Sequence, residues 1–253
     1  MTALSISSPN DRPQAGIISS SWTGLYKLAG TSALLQVAIV VIQLVVFMIA
    51  PPPLEGTALD WFKLFLENPL VGLIDFEFLM VLYVILCIPI AVALYILLRP
   101  ANPSWTAIYL ALSILGVMCF IAARPAFEML YLSRAYAAAQ TDAQRAILLA
   151  AGEAQVAAFH GTAFYINYIL GSLTGLIISL VMLQSNMFSR ATAYVRIASS
   201  ICDFGLFLPV VGMFISILSV LFLAIWNIMI ARRLFQLAHT SQTDEPNQGG
   251  IIS

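Results

Sequence analysis

Four ionisable side chains lie inside strongly apolar stretches of the sequence. Asp75 and Glu77 fall in LVGLIDFEFLM, His160 falls in FHGTAF, and Asp203 falls in SSICDFGLF. An ionised group in apolar surroundings is costly, so such a residue is a candidate functional residue by default. Carboxylates beside an imidazole could exchange protons or hold an ion. These four positions are therefore the first candidates for a site.

The elements that must position them are membrane-spanning helices. The chain has 253 residues, of which 61% are hydrophobic and 9% charged. Soluble domains carry about 25% charged residues, and apolar runs of about 20 residues are typical of transmembrane helices. The sequence therefore predicts an all-α, polytopic membrane protein. Its net charge of -1 leaves no basic patch for nucleic acid.

Six transmembrane helices are predicted from runs that end at proline or arginine. Their approximate limits are 31–50, 70–98, 104–123, 161–183, 191–208 and 212–231. Pro89 should kink the second, and the short fifth should end at Pro209. The membrane domain as a whole is predicted over residues 25–238. The polar tails, residues 1–24 and 239–253, are expected to be mobile.

Two connections are predicted to be helical. Residues 57–67 place Leu59, Phe62, Phe65 and Leu66 on one face, which predicts an interfacial helix with Trp61 in the aromatic belt. Residues 125–160 predict a helical hairpin, in which the T-x-x-Q pattern at Thr141 is typical of a capping box.

The distribution of lysine and arginine predicts the orientation. One side would hold Arg12, Lys27, Arg99, Arg190, Arg196, Arg232 and Arg233, and the other Lys63, Arg124, Arg134 and Arg145. The more basic side should be cytoplasmic. The chain is thus predicted to lie in the bacterial inner (plasma) membrane with both termini cytoplasmic, and with the interfacial helix and the hairpin facing outward.

This orientation brings the candidate residues to the outward half. A polar pocket below the hairpin would be lined by Asp75, Glu77, Arg124, Glu128, His160, Tyr165, Asn167 and Asp203. In the alternative interpretation, Asp75 and Glu77 simply touch water at the level of the lipid head groups. Asp203 would then bond to a neighbouring helix or to an arginine. The sequence alone leaves both interpretations open.

Established catalytic patterns are absent from the sequence. There are only two histidines, His160 and His239, and no H-E-x-x-H, P-loop, Rossmann glycines or G-x-S-x-G turn. Cys87, Cys119 and Cys202 have no metal-binding spacing and are interpreted as packing residues. A metal site of His160 with carboxylates stays formally open. We predict no metal, cofactor or catalytic residue.

Gly171 and Gly175 form a GxxxG pattern in the fourth predicted span. Small residues at this spacing allow helices to approach closely. The pattern predicts helix packing within the chain, with a homodimer contact as the alternative.

Three segments carry a family resemblance. They are EMLYLSRAYAAAQTDAQRAILLAAGEA, FHGTAFYINYILGSLTGLIISLVML and FSRATAYVRIAS, with the closing IWNIMIARRLFQL. Over about residues 25 to 238 the chain resembles the bacterial membrane family called domain of unknown function 4386. The resemblance implies a helical membrane domain. It implies no activity and no catalytic residues.

Two functional hypotheses follow. The first is a non-catalytic accessory subunit or sensor that binds membrane lipid, a lipid-like ligand or a larger membrane complex. The second is an intramembrane enzyme or a proton-linked carrier that uses Asp203, His160 and a carboxylate of the second span. The second hypothesis requires those side chains to converge.

Overall fold

The computed structural model describes residues 20–207 and 212–243, and every regular element in these ranges is a helix. The α-helices are α1 (Thr23–Ile49), α2 (Ala58–Glu67), α3 (Pro69–Asp75), α4 (Phe78–Leu98), α5 (Pro103–Ala122), α6 (Ala126–Ala138), α7 (Asp142–Phe159), α8 (Thr162–Gln184), α9 (Arg190–Asp203) and α10 (Gly212–Thr243). Short 3-10 turns occupy Ser20–Trp22 and Phe204–Phe207. The predicted all-α class is confirmed.

Six of the helices close a ring. Around it the order of packing is α1, α4, α5, α8, α9, α10 and back to α1. Their shared core consists of aliphatic and aromatic side chains such as Tyr26, Leu94, Ile178 and Ile230. The outer surface of the ring is also apolar, since Val41, Met48 and several neighbours are exposed. A ring that is apolar on both faces is expected for a bundle surrounded by lipid.

Within residues 20–207 and 212–243, five stretches are long and apolar enough to cross a membrane. They are Thr23–Ile49, Phe78–Leu98, Pro103–Ala138, Asp142–Gln184 and Leu218–Thr240. The chain is therefore a multi-pass membrane protein. The predicted fifth span corresponds to α9, which has 14 residues and is not among the five. Its predicted end at Leu208 and Pro209 lies outside the described residues, so the count of six spans stays a prediction.

The remaining helices, α2, α3, α6 and α7, form a second layer that we call the cap. Its core contains Trp61, Phe62, Phe65, Phe76, Ala126, Met129 and Phe159. α2 packs against α3, α6 and α7, and α6 packs against α7. The Ala58 backbone N–H donates to the Glu153 carboxylate at 2.9 Å, which ties the start of α2 to α7.

Local sequence signals explain where these helices begin. The Thr141 hydroxyl accepts from the Gln144 N–H at 3.2 Å, and the Gln144 side chain accepts from the Thr141 N–H at 3.3 Å. This is the predicted capping box, and α7 begins directly after it, at Asp142. Asn68 and Asn102 cap α3 and α5 in a related way, each followed by a proline at the first helical position.

Three local predictions were wrong. The second span is two helices, because the chain breaks at Phe76 and Glu77, and Glu77 has a positive φ of 60°. Trp61 lies not in an aromatic belt but in the cap core, at 1% exposure, because α6 and α7 cover that face of α2. The last helix continues to Thr243, past the predicted start of the C-terminal tail at residue 239. The rest of that tail and residues 1–19 lie outside the described residues.

Candidate functional site

Arg124 is the centre of the polar cluster between the cap and the ring. Its side chain is 1% exposed, and its Nε donates to Glu77 Oε2 at 2.6 Å. Its Nη1 donates to the backbone carbonyls of Ala123 at 3.1 Å and of Phe159 at 3.0 Å. These hydrogen bonds suit a guanidinium, because its planar fork donates in several fixed directions.

Aromatic rings surround the same guanidinium. Its central carbon lies 4.5, 4.2 and 4.9 Å from the ring centres of Phe120, Phe159 and Phe164. A cation near the face of an aromatic ring is stabilised by the ring quadrupole, more so away from water. Together with the carboxylate of Glu77, these rings compensate much of the cost of burying Arg124.

Three breaks between helices meet at Arg124. Glu77 lies between α3 and α4, Arg124 lies between α5 and α6, and Phe159 ends α7 just before His160, which lies between α7 and α8. The left-handed backbone of Glu77 is unusual for a residue with a side chain, and it ends one helix just before the next. One arginine therefore contacts the three junctions at which α3, α6 and α7 connect to the ring.

His160 lies at the edge of this cluster. Its ring packs edge-on against Phe159, with centres 4.8 Å apart, and against Phe164 at 6.2 Å. The residue is exposed. The structure thus brings together three of the predicted residues, Glu77, Arg124 and His160.

Asp75 is buried next to this cluster without a polar partner. It is 0% exposed, and neither carboxylate oxygen has a hydrogen-bond partner among the described residues. Burial raises the pKa of Asp75 to about 6. Gln43 of α1 donates to the neighbouring Ile74 carbonyl at 3.0 Å, and its own side-chain oxygen lacks a partner.

Glu128 belongs to a different surface, an open groove of about 430 Å³ between α6 and α7. We call this the cap groove, and it is lined by Phe127, Glu128, Tyr131, Leu132, Ala151 and Gln155. Phe127 and Tyr131 are 57% and 71% exposed. Glu128 has no ion-pair partner within 4 Å among the described residues. The residue is exposed.

Tyr165 and Asn167 lie on α8, five and seven residues after His160. Tyr165 is 45% exposed and packs against Phe164, with ring centres 5.5 Å apart. Asn167 faces α5, where its side-chain oxygen would lie 3.6 Å from a Cβ added at Gly116.

Asp203 belongs to a second polar cluster, inside the ring. It accepts a hydrogen bond from the Ser219 hydroxyl of α10. The Ser199 hydroxyl donates to the Ser219 carbonyl at 3.2 Å and accepts from Arg196 Nη1 at 3.2 Å. Two serines thus link a guanidinium to a carboxylate. None of these contacts reaches His160 or Asp75, so the contacts in the described part of the chain do not join Asp203 to the cap.

Arg196 is the polar residue that sequence reasoning missed, since its charge was assigned to the cytoplasmic side. Its Nη2 donates to the Gly171 carbonyl at 3.2 Å, and Gly171 lies near the middle of α8. Its guanidinium also lies 5.5 Å from the Trp226 ring centre. Three buried polar atoms of α9 and α10 have no hydrogen-bond partner in the described part of the chain, namely Ser200 Oγ, Trp226 Nε1 and Asn227 Oδ1.

A signal for this cluster was present in the sequence. Ser199, Ser200 and Asp203 lie three, four and seven residues after Arg196, which places all four on one face of a helix. A polar stripe on an otherwise apolar stretch points inward in a membrane bundle. The distribution of lysine and arginine, which was used to predict the orientation, carries no information on this periodicity.

The two glycines of the GxxxG pattern differ. A Cβ added at Gly175 would meet the Ser200 hydroxyl, and it would lie 2.6 Å from Arg196 Cζ. A Cβ added at Gly171 would meet nothing within 4 Å. The close approach of α9 to α8 therefore requires Gly175, whereas Gly171 contributes its carbonyl to Arg196.

Comparison with known proteins identifies a family. The family model described as Domain of unknown function (DUF4386) matches residues 28–235. Nothing matches among curated proteins or among solved structures. Among the described residues, no three His, Cys, Asp or Glu side chains are placed to hold a metal ion.

Proposed function

The chain belongs to the family of the Domain of unknown function DUF4386, and within that membrane domain we propose a non-catalytic accessory subunit or sensor that binds a lipid-like ligand in the cap groove. The observation that carries the proposal is the groove itself. Two large aromatic side chains, Phe127 and Tyr131, are more than half exposed there beside an unpaired carboxylate. Exposed aromatic surface with a polar rim is typical of a binding site.

The position of the groove supports a ligand from the membrane. α5 has 20 residues and is thus about 30 Å long, which is the thickness of the hydrocarbon core. Phe127 follows five residues after the end of α5, and it packs edge-on against Phe78, the first residue of α4. The base of the groove is therefore expected at the boundary between acyl chains and head groups.

The Arg124 cluster supports a binding protein over an enzyme. Its guanidinium is already engaged by Glu77, two backbone carbonyls and three rings. Because the Arg124 guanidinium is so fully coordinated, its role in this proposal is to stabilise the cap, and it has little capacity left to bind a substrate. In the same proposal the cap faces outward, both termini are cytoplasmic, and α9 completes six spans of a bacterial plasma membrane. Association with a partner protein, or with a second copy, is the other form that an accessory role would take.

Thermal unfolding in detergent tests the proposal. A ligand that binds only the folded protein stabilises it by about 2.7 kcal/mol when present at 100 times its Kd, and so raises its melting temperature. A total lipid extract should stabilise the wild type and the control Ile147→Ala, whose side chain on α7 is 70% exposed outside the groove. It should stabilise Tyr131→Ala much less. Equal stabilisation of all three proteins would contradict a ligand in the groove.

A second candidate is a proton-linked carrier or an intramembrane enzyme, which Asp203 favours. This carboxylate lies in the ring and is connected to Arg196 through Ser199 and Ser219. Proton uptake into liposomes that contain the protein, abolished by Asp203→Asn, would support this candidate. If the wild type takes up no protons, this candidate function is ruled out.

A further inference from the structure

The residues that line the cap groove indicate which head group it selects. Glu128 supplies a negative charge, and no lysine or arginine is among the six lining residues. An anionic lipid head group would meet this carboxylate and be repelled. A cationic group would gain an ion pair that no described side chain already makes.

The aromatic residues favour a particular kind of cation. Phe127 and Tyr131 are four residues apart on α6, so they lie on the same face, and Glu128 is adjacent to Phe127. Exposed aromatic faces attract ammonium groups through the ring quadrupole. A carboxylate beside two such rings is well suited to a compact ammonium group.

We infer that the cap groove binds a zwitterionic phospholipid, with the ammonium group at Glu128, Phe127 and Tyr131. Gln155 is also a lining residue, and a glutamine side chain has an amide N–H that can donate to the phosphate. Leu132 and the Phe127–Phe78 contact extend the apolar surface toward the membrane-spanning helices, where the acyl chains would run. This inference rests on the proposed function, because it names the ligand of the same groove.

The test uses the full-length protein in nanodiscs of equal parts phosphatidylethanolamine and phosphatidylglycerol. Native mass spectrometry after release from the nanodisc counts the lipids of each kind that stay bound. The wild type should retain phosphatidylethanolamine over phosphatidylglycerol by about three- to tenfold, which is the range of one exposed ion pair with a cation–π contact. Nanodiscs with phosphatidylcholine in place of phosphatidylethanolamine should show the same preference.

Two variants assign the preference to named side chains. Glu128→Gln should abolish the preference while lipid is still retained, and Tyr131→Leu should weaken it because it keeps apolar area but removes the ring. The control is Glu67→Gln, which neutralises an exposed carboxylate of α2 outside the groove. Since Glu67 and Glu128 are both exposed, neither change should prevent folding.

The possible outcomes separate the two proposals. Retention of lipid that depends on Tyr131 but shows no head-group preference, or prefers phosphatidylglycerol, would overturn the inference and leave the proposed function standing. No lipid retained by the wild type would overturn both. A preference that persists in Glu128→Gln would place the selectivity elsewhere and also overturn the inference.

Discussion

Arg124 illustrates how one buried residue can organise several segments that are distant in sequence. Glu77 and Phe159, to which it donates hydrogen bonds, lie 47 and 35 residues away. A buried ion pair is weak evidence for stability by itself, because desolvation opposes the Coulomb attraction. Removing one partner, however, leaves the other charge uncompensated, and this loss is measurable.

Substitution of Arg124 should therefore destabilise the protein strongly. We expect Arg124→Ala to cost about 3 kcal/mol, and Arg124→Lys to cost less but still measurably, because lysine keeps the charge without the planar fork. The control is Arg145→Ala, which breaks an exposed pair with Asp142 and should cost less than about 1 kcal/mol. Thermal unfolding in detergent measures the order of stability among the wild type and these variants. Equal melting temperatures for all variants would show that Arg124 does not hold the cap.

Because Asp75 is buried, we expect the stability of the protein to depend on pH. Its pKa is raised by burial to about 6, so the folded protein binds this proton more tightly than the unfolded chain. The free energy of unfolding should then increase as the pH falls from above 6 toward 4, and should be lowest above pH 6. This rise of the pKa corresponds to a difference of at most about 3 kcal/mol in the free energy of unfolding between low and high pH.

The variant Asp75→Asn should remove this dependence and melt at a higher temperature than the wild type at pH 8. Glu67→Gln changes the same charge at an exposed position and should leave the dependence intact. A wild type whose melting temperature does not rise between pH 7.5 and 5 would show that Asp75 is not a strained ionised group.

At the scale of helices, sequence reasoning succeeded where the signal was local. The apolar runs located the long helices, and the T-x-x-Q pattern located the start of α7 at Asp142. It failed at the break between α3 and α4, because the partner that stabilises Glu77 in its left-handed conformation is Arg124 of a remote segment. It also failed at Trp61, because nothing near that residue indicates that α6 and α7 will cover it.

The packing of α9 on α8 gives a prediction at this scale. Gly175→Ala places a methyl group against Ser200 and Arg196, which should cost about 1–3 kcal/mol by overpacking. Gly171→Ala, one turn earlier on the same helix, meets open space and should be neutral or stabilise by up to about 1 kcal/mol. Unfolding measurements on the pair need no further control. A similar loss for both variants would contradict the described packing.

At the scale of the whole molecule, the class could be predicted from composition, and the candidate site only in part. Glu77, Arg124 and His160 meet at one cluster, Glu128 lines a separate groove, and Asp203 joins Arg196 inside the ring. Which carboxylate meets which cation depends on how the helices pack around the ring. That arrangement arises from contacts such as α1 with α10, whose residues are far apart in sequence.

The number of spans can be decided by the location of the termini. If α9 completes a sixth span, a fluorescent protein that folds only in the cytoplasm should fluoresce when fused to either end. With five spans, only one of the two fusions would fluoresce. The prediction of six spans with cytoplasmic termini is refuted by fluorescence from one end alone.

The most direct test of the central claim, that the cap groove holds a lipid-like ligand, is native mass spectrometry of the protein extracted gently from its own membrane. We predict that the wild type carries a persistent adduct of one class of phospholipid, and that Tyr131→Ala loses it while Ile147→Ala keeps it. A wild type recovered only as a lone, ligand-free protein would contradict the claim and would favour the second candidate function, which is based on Asp203 and Arg196.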